Sequence, residues 1–319
     1  MKLSNNSFSK LIVGSCNSKT YHGYISYYHY TDEQISYFDS LDESWGIRAR
    51  LSCGVRAEFL TSATKFEFDS FVPQFGSYDS TIDLFINNVP YAVHHITGTG
   101  KNHISFDFPE GTKKVTIYFP TDSLLYMKNF QINDSYKATR IRYKKMLVIG
   151  DSISQGYGAG IAGFNYINCL GRKIKYEILN QGVGGYVYDP GCISLIDNFT
   201  PDKIFVQVGT NCYDVLSFNY EERVIKFYKR LYEVYPKTPV MVMTPLWRGD
   251  GIVDYSRLKW CSDIIKRECA KYDNIVVVDG FDLIPHLSIF YSDNLHPNLL
   301  GCEYMASNIE KKMRTIKFI

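Results

Sequence analysis

Four short stretches of the second half of the chain carry residues whose types suit acyl transfer. Ser152 follows Gly150 and Asp151; Gly185 ends the run Asn180-Gln181-Gly182-Val183-Gly184-Gly185; Asn211 follows Gly209 and Thr210; and Asp293 stands three residues before His296. A serine hydroxyl is a weak nucleophile until a base takes its proton. His296 would be that base, with Asp293 holding the ring in one tautomer and stabilising the imidazolium that forms. The oxyanion would be met by the Ser152 N–H, the Gly185 N–H and the Asn211 side-chain amide. Each such donor is worth about 2.7–4 kcal/mol of barrier. Taken alone, Asp151 or Ser152 could equally be a helix N-cap, a position that favours Asp and Ser.

Chemistry of this kind needs rigid elements that bring distant loops to one rim. After Lys145 the sequence alternates between apolar runs and helix-length segments. The runs at 146–149, 176–179, 203–208, 240–243 and 275–278 each suit one strand buried on both faces, and the segments 162–174, 220–235, 254–272 and 298–313 suit helices. Val224, Phe227, Tyr228, Leu231 and Val234 share one helical face, and Pro236 and Pro239 end that helix. This order predicts a parallel five-stranded sheet with helices on both faces, whose loops meet at the carboxyl edge. The motif-bearing stretches are the loops after the first, second and third strands and the loop before the last helix.

Residues 21–133 read differently. Short segments at 46–53, 55–60, 65–69, 80–86 and 103–108 alternate polar with apolar or aromatic side chains, with hairpin turns expected at Asn87-Asn88 and Glu110-Gly111. Residues 1–138 are therefore expected to be an all-β jelly-roll sandwich domain with no long helix, and 139–319 an α/β domain. The polar, basic stretch 134–145 reads as the linker. His94 and His95 would point to opposite faces of a strand, which argues against a shared metal. Exposed aromatics of this half could stack on sugar rings, although sandwich cores use the same residues.

The Gly150-Asp-Ser-Ile, Asn180-x-Gly-x-x-Gly185, Gly209-x-Asn211 and Asp293-x-x-His296 blocks, in this order, resemble the four signature blocks of the GDSL/SGNH hydrolases. The resemblance covers residues 145–315. It implies a three-layer, flavodoxin-like domain with esterase, lipase, deacetylase or acyltransferase activity. By matching blocks, Ser152 resembles the nucleophile, Gly185 and Asn211 the oxyanion donors, and Asp293 with His296 the acid–base pair. The sandwich in front is similar in pattern to the two-domain branch that includes family-two carbohydrate esterases and related acyltransferase-like proteins. One departure stands out: where the family often has Asp after the third-block Asn, this chain has Cys212, with Asp214 later.

Other motifs are weighed against this reading. Gly158-x-Gly160-x-x-Gly163 spells a dinucleotide fingerprint, but a Rossmann site puts its first glycine at the strand's end, not eight residues on. No Gly-Lys-Ser/Thr and no G-x-S-x-G is present. Trp247, after the fourth strand, is a candidate substrate wall or a packing residue; His286 and Asp279 read as loop hydrogen-bonding groups and Asp151 as a turn anchor. A net charge of +2 without blocks of like charge gives no case for nucleic acid, and no apolar run approaches the ~20 residues that span a bilayer. Eight scattered cysteines without a C-x-x-C pair suggest free thiols, not disulfides or zinc. No cofactor is expected, and the N-terminus, lacking a signal's apolar core, suggests a cytoplasmic protein, or a secreted one if a signal has been removed.

Three functions fit the sequence: a serine esterase taking short acyl groups, acetyl foremost, from a hydroxylated, carbohydrate-like substrate; an acyltransferase using the same serine; and a glycan-binding protein without catalysis.

Overall fold

The computed structural model describes residues 1–76, 80–139, 144–212, 219–251 and 253–319. The five expected apolar runs form the strands Lys144–Gly150, Tyr176–Gly182, Lys203–Gln207, Val240–Met243 and Ile275–Val278. They pair in parallel, with Tyr176–Gly182 at one edge, then Lys144–Gly150, and the other three following in chain order. This is the doubly wound, flavodoxin-like order, in which the chain reverses direction beside its first strand and opens a crevice at the carboxyl ends. The first strand is buried from Met146 onward because helices cover both of its faces. Helix Tyr220–Val234 buries Val224, Phe227, Tyr228 and Leu231, carries Glu221 and Glu222 in its first turn, and stops before Pro236. The expected helix at 162–174 is divided: Asn165 accepts the Ile167 N–H at 2.7 Å and starts Tyr166–Lys173 afresh after a single 3-10 turn.

In front of this domain two antiparallel sheets pack face to face. One has the order Ile12–Val13, Arg56–Thr61, Lys113–Tyr118, Thr81–Ile86, Val89–His95; the other runs Asn17–Tyr21, Tyr24–Tyr28, Leu124–Ile132, Lys65–Gln74, Gly100–Asp107. Strand Lys65–Gln74 alternates buried and half-buried positions, as its sequence pattern requires, and Phe66, Phe68 and Phe130 fill the core between the sheets. Asn87 and Asn88 both take positive φ, 51° and 67°, the conformation a tight two-residue hairpin needs. Among the described residues no helix is long and apolar enough to cross a membrane.

Four expectations for this half are corrected. Residues 46–53 are not a strand. Helices Asp32–Leu41 and Glu43–Ala49 occupy this region, the first opened by a capping box between Thr31 and Gln34, the second capped by Asp42, which accepts the Ser44 and Trp45 N–H groups. Secondly, the Glu110-Gly111 turn is not a hairpin, since it carries the chain from one sheet to the other. Thirdly, the stretch 134–145 is not simply a linker: Tyr136–Ala138 is a strand paired with Arg56–Thr61. Lastly, strand Thr81–Ile86 has no wet face. Phe85 and Tyr118 pack against Ala162, Asp83 accepts the Gly163 N–H at 2.6 Å, and the Arg172 guanidinium lies 4.8 Å above the Phe85 ring.

The two halves are joined by a second, larger contact. Tyr28, Tyr30, Ile35, Phe38 and Ala49 belong to the same apolar cluster as Leu147, Leu179 and Val206 of the parallel sheet. Polar latches run beside it: Tyr30 Oη donates to the Gln181 carbonyl at 2.8 Å, and Gln181 Nε2 to the His29 carbonyl at 2.9 Å. His29 itself is fully buried, with Nδ1 2.5 Å from the Asn180 carbonyl. Burial moves its pKa from 6.5 down to about 4, against hydrogen bonds that work the other way. Between those two values the unfolded chain binds a proton that the folded chain refuses, so stability is lost as pH falls through this window, by up to ~3 kcal/mol. Asp83 and Asp151, pushed by burial up to about 6, act in the opposite sense over part of the same range. Comparing wild type with His29→Gln cancels them. The loss of Tm from pH 7 to pH 4.5 should be smaller in the variant; equal losses would remove His29 as the cause.

Candidate functional site

The crevice at the carboxyl edge collects all four stretches. Strand Lys144–Gly150 ends in Gly150, where a Cβ would lie 2.1 Å from Ser154 Oγ, so only glycine lets the chain turn directly into helix Ser152–Gln155. Asp151 caps that helix by accepting the Ile153 N–H at 3.0 Å, and its other oxygen accepts Gln207 Nε2 at 3.2 Å. It is the turn anchor its position suggested. Ser152, 6 % exposed, occupies the first helical position.

His296 reaches Ser152 from a loop 144 residues later. The Ser152 Oγ to His296 Nε2 distance is 2.8 Å, and His296 Nδ1 lies 2.7 Å from Asp293 Oδ2. Asp293 Oδ1 accepts the backbone N–H groups of Leu295 and His296 at 3.0 and 2.7 Å, which folds the loop tightly around the carboxylate. Burial works against the charged form of Asp293, yet the His296 N–H, its ring and the Leu295 N–H outweigh it and hold the carboxyl below its ordinary range. Gly158 makes room for this loop. With φ of +80° it passes where a Cβ would meet Ser292 Oγ at 2.5 Å and His296 Cβ at 2.7 Å. Gly163 lies equally close to the Phe85 ring, so packing accounts for two glycines of the dinucleotide-like spacing.

The second and third stretches are tied to the first. The Gly184 N–H donates to Gln155 Oε1 at 2.6 Å, which fixes the glycine turn on the helix that begins at Ser152. Gly185 has φ of +80°, and no acceptor engages its N–H among the described residues. Asn211, in the 3-10 turn Thr210–Cys212, donates one Nδ2 hydrogen to the Tyr186 carbonyl at 3.0 Å and keeps a second for another acceptor. Cys212 is buried beside it, and Asp214 lies outside the described residues. Ser152, His296 and Asp293 are thus linked directly, Gly185 and Asn211 through Tyr186, and the glycine turn to the helix of Ser152 through Gln155.

Trp247 is half-buried beside the loop that carries Asp293 and His296. Its ring stacks on His286 at 5.3 Å between centroids and lies 5.1 Å from Tyr291. His286 bonds the Phe281 carbonyl, and Asp279 accepts from Thr244, Lys266 and the Phe281 N–H, as loop groups do. Among the described residues no cluster of His, Cys, Asp or Glu could hold a metal ion, and His94 and His95 sit on an outer strand.

Sequence reasoning missed the part the first half plays here. Helix Glu43–Ala49 lies over the glycine turn: Arg48 donates to the Gly184 carbonyl at 2.8 Å, and Trp45 Nε1 is the atom nearest to where a Gly185 Cβ would stand. Tyr157, whose ring is 5.3 Å from that of His296, forms one side of a cleft of about 190 Å³. Ser44, Arg48, Gln74 and Asp122 supply its polar lining. Neither this cleft nor the larger ones on the sandwich include Ser152 or His296 in their lining; Tyr157 connects this one to the imidazole. The signal that could have revealed the first of the two helices, Asp32–Leu41, was Thr31-x-x-Gln34, a four-residue capping box in a stretch read as β.

Residues 148–304 match the model of the GDSL-like lipase/acylhydrolase family. No curated protein matches the chain by sequence. Among solved structures, the salicylyl-acyltransferase SsfX3 of a tetracycline biosynthetic pathway is similar with a TM-score of 0.78 at 15 % identity, covering 99 % of this chain and 97 % of its own. A family-two carbohydrate esterase from Cellvibrio japonicus is similar with a TM-score of 0.69 at 14 % identity, covering 99 % and 97 %. Another from Clostridium thermocellum, in complex with cellohexaose, has a TM-score of 0.63 at 14 % identity and covers 82 % of this chain and 91 % of its own. At these identities the likeness is one of fold, and it extends over both halves of the molecule.

Proposed function

Starting from residues 148–304 as a domain of the GDSL-like lipase/acylhydrolase family, we propose that the chain is a serine esterase that removes short acyl groups, acetyl foremost, from a hydroxylated, carbohydrate-like substrate. The observation that carries the reading is the unbroken contact from Ser152 Oγ to His296 Nε2 to Asp293, at 2.8 and 2.7 Å. In this geometry the Nδ1–H of His296 donates to Asp293, leaving Nε2 free to accept the serine proton. As Oγ attacks the ester carbonyl, its proton passes to Nε2 and the carbonyl π pair moves onto oxygen, where the Ser152 N–H, Gly185 N–H and Asn211 amide receive the charge. Collapse expels the alcohol, which takes the proton from His296. Water, activated by the same ring, then releases the acid.

The substrate class rests on the cleft beside Tyr157. At about 190 Å³ it is smaller than the ~300–1,000 Å³ of sites for drug-sized ligands. Its mixed lining, with Arg48, Gln74 and Asp122 beside Ile47, Leu51 and Phe75, offers both hydrogen bonds and an apolar face to a single hydroxylated ring, and its small volume disfavours a long acyl chain. The fold shared with carbohydrate esterases supports the same class.

A panel of p-nitrophenyl esters of increasing chain length and of acetylated sugars tests the reading. Turnover should be fastest for acetyl and lost in Ser152→Ala. Wild type as inert as that variant would reject it, and acyl transfer to an added polyol in preference to water would favour the acyltransferase reading, which the likeness to SsfX3 keeps in view. Asp293 offers a graded test. Its side chain is about half exposed, at 52 %, unlike a buried triad aspartate. Asp293→Asn should therefore cost kcat roughly 10- to 100-fold, short of the ~10⁴-fold loss typical where the aspartate is buried. A loss as large as that of His296→Ala would contradict the ranking.

A further inference from the structure

We propose that Arg48, delivered by the β-sandwich half, is a positioning residue for the oxyanion site, acting through the Gly184–Gly185 peptide. The inference rests on Gly185 being an oxyanion donor, as proposed above. A trans peptide is planar, with its C=O and N–H pointing in opposite directions. Whatever binds the Gly184 oxygen therefore sets the direction of the Gly185 N–H.

Arg48 binds that oxygen, at 2.8 Å, from helix Glu43–Ala49. The next amide upstream, the Gly184 N–H, is held by Gln155 Oε1 at 2.6 Å, and Gln155 is itself held through Nε2 to the Thr121 carbonyl at 3.1 Å. Two groups thus hold Gly184, one on each side, and both lead back to the sandwich. Such bracing matters because Gly185 is in the left-handed region at φ of +80°, where a glycine turn has little rigidity of its own.

Charge adds to direction. Among the described residues Arg48 makes no ion pair; it also donates to Ser44 Oγ at 3.3 Å, and its charge acts at longer range on the Asp42 carboxylate. A guanidinium on a carbonyl draws electron density toward that oxygen and makes the N–H at the other end of the peptide a stronger donor, since hydrogen-bonded groups in series polarise one another. Arg48 thereby serves the transition state more than the bound ester, whose carbonyl carries less charge.

The comparison is of Arg48→Met and Arg48→Lys with wild type on an acetyl ester, together with hydrogen–deuterium exchange of residues 182–186 in the free proteins. Loss of a whole oxyanion donor costs ~10²–10³ in kcat; weakening one by Arg48→Met should lower kcat about ten- to a hundredfold, a larger factor than any rise in KM from the loss of its place in the cleft lining. Arg48→Lys should regain part of the loss. Exchange at 182–186 should quicken in Arg48→Met but not in Ser152→Ala. If Arg48→Met does not fold, Arg48→Gln takes its place. Unchanged kcat overturns the proposal, as does a raised KM with kcat intact, which would put the guanidinium on the substrate. Unchanged exchange overturns it whether or not any ester is turned over, whereas an inert wild type overturns the esterase reading instead.

Discussion

Ser152→Ala and His296→Ala will each lower acetyl-ester hydrolysis by roughly 10⁶-fold, and the double variant will be little worse than either. The size follows from function as a unit. Without the imidazole, Oγ holds its proton; without Oγ, there is nothing for the ring to activate. The 2.8 Å contact joins residues 144 positions apart, so neither side chain is placed by its own local structure. Ser152 is fixed at the first turn of its helix by the Asp151 cap, and His296 by the carboxylate of Asp293, which holds the ring and the backbone of its loop together. Both variants should melt near wild type, because neither residue fills the apolar core. Strictly additive losses would mean that the two do not share one step, and would break the proposed mechanism at its first proton transfer.

Asn211→Ala will reduce kcat by about 10²–10³ and leave KM nearly unchanged. One amide hydrogen of Asn211 is tethered to the Tyr186 carbonyl at 3.0 Å, which fixes the plane of the side chain and so the direction of the other. Tyr186 follows Gly185, so the tether also ties the third loop to the second. A ground-state ester carbonyl gains little from this donor, while the tetrahedral oxyanion gains a full charge-assisted hydrogen bond. The effect therefore belongs to kcat. If KM rises by the whole amount while kcat stays put, Asn211 binds substrate and the oxyanion site is built from other groups.

What the sequence made legible was the part governed by local pattern and by glycine. Four of the five apolar runs are strands buried in the sheet and the fifth, Ile275–Val278, is an edge strand with Val276 exposed; the loops after them had to share an edge, so Ser152, Gly185, Asn211, Asp293 and His296 could be nominated together. The glycines carried a further message in their spacing: Gly150 and Gly158 stand where a Cβ would strike Ser154 or His296. What stayed hidden were contacts between segments far apart in the chain. Residues 46–53 alternate like a strand, yet Asp42 caps a helix there, and the face of that helix is explained by partners far along the chain, Tyr186 against Trp45 and Gly184, 136 residues after Arg48. Strand Thr81–Ile86 likewise has a second buried face because residues 161–164 cover it, which no periodicity in 81–86 could disclose. Tertiary contact overrode local preference at both places, and at the first it also supplied part of the candidate site.

The sandwich is accordingly a structural partner of the α/β domain. Its helices enter the core beside the parallel sheet, His29 and Tyr30 latch onto the end of strand Tyr176–Gly182, and Arg48 reaches the glycine turn that follows. The cleft beside Tyr157 is bounded by both halves.

Everything proposed for the chemistry requires Ser152 Oγ to be made nucleophilic by His296. Incubation with a fluorophosphonate, followed by peptide mass analysis, reads this directly. The predicted result is a single phosphonyl adduct on Ser152, formed rapidly in wild type and at least a thousandfold more slowly in His296→Ala, on the order expected for loss of the base. No adduct, an adduct on another residue, or equal labelling rates in the two proteins would contradict it.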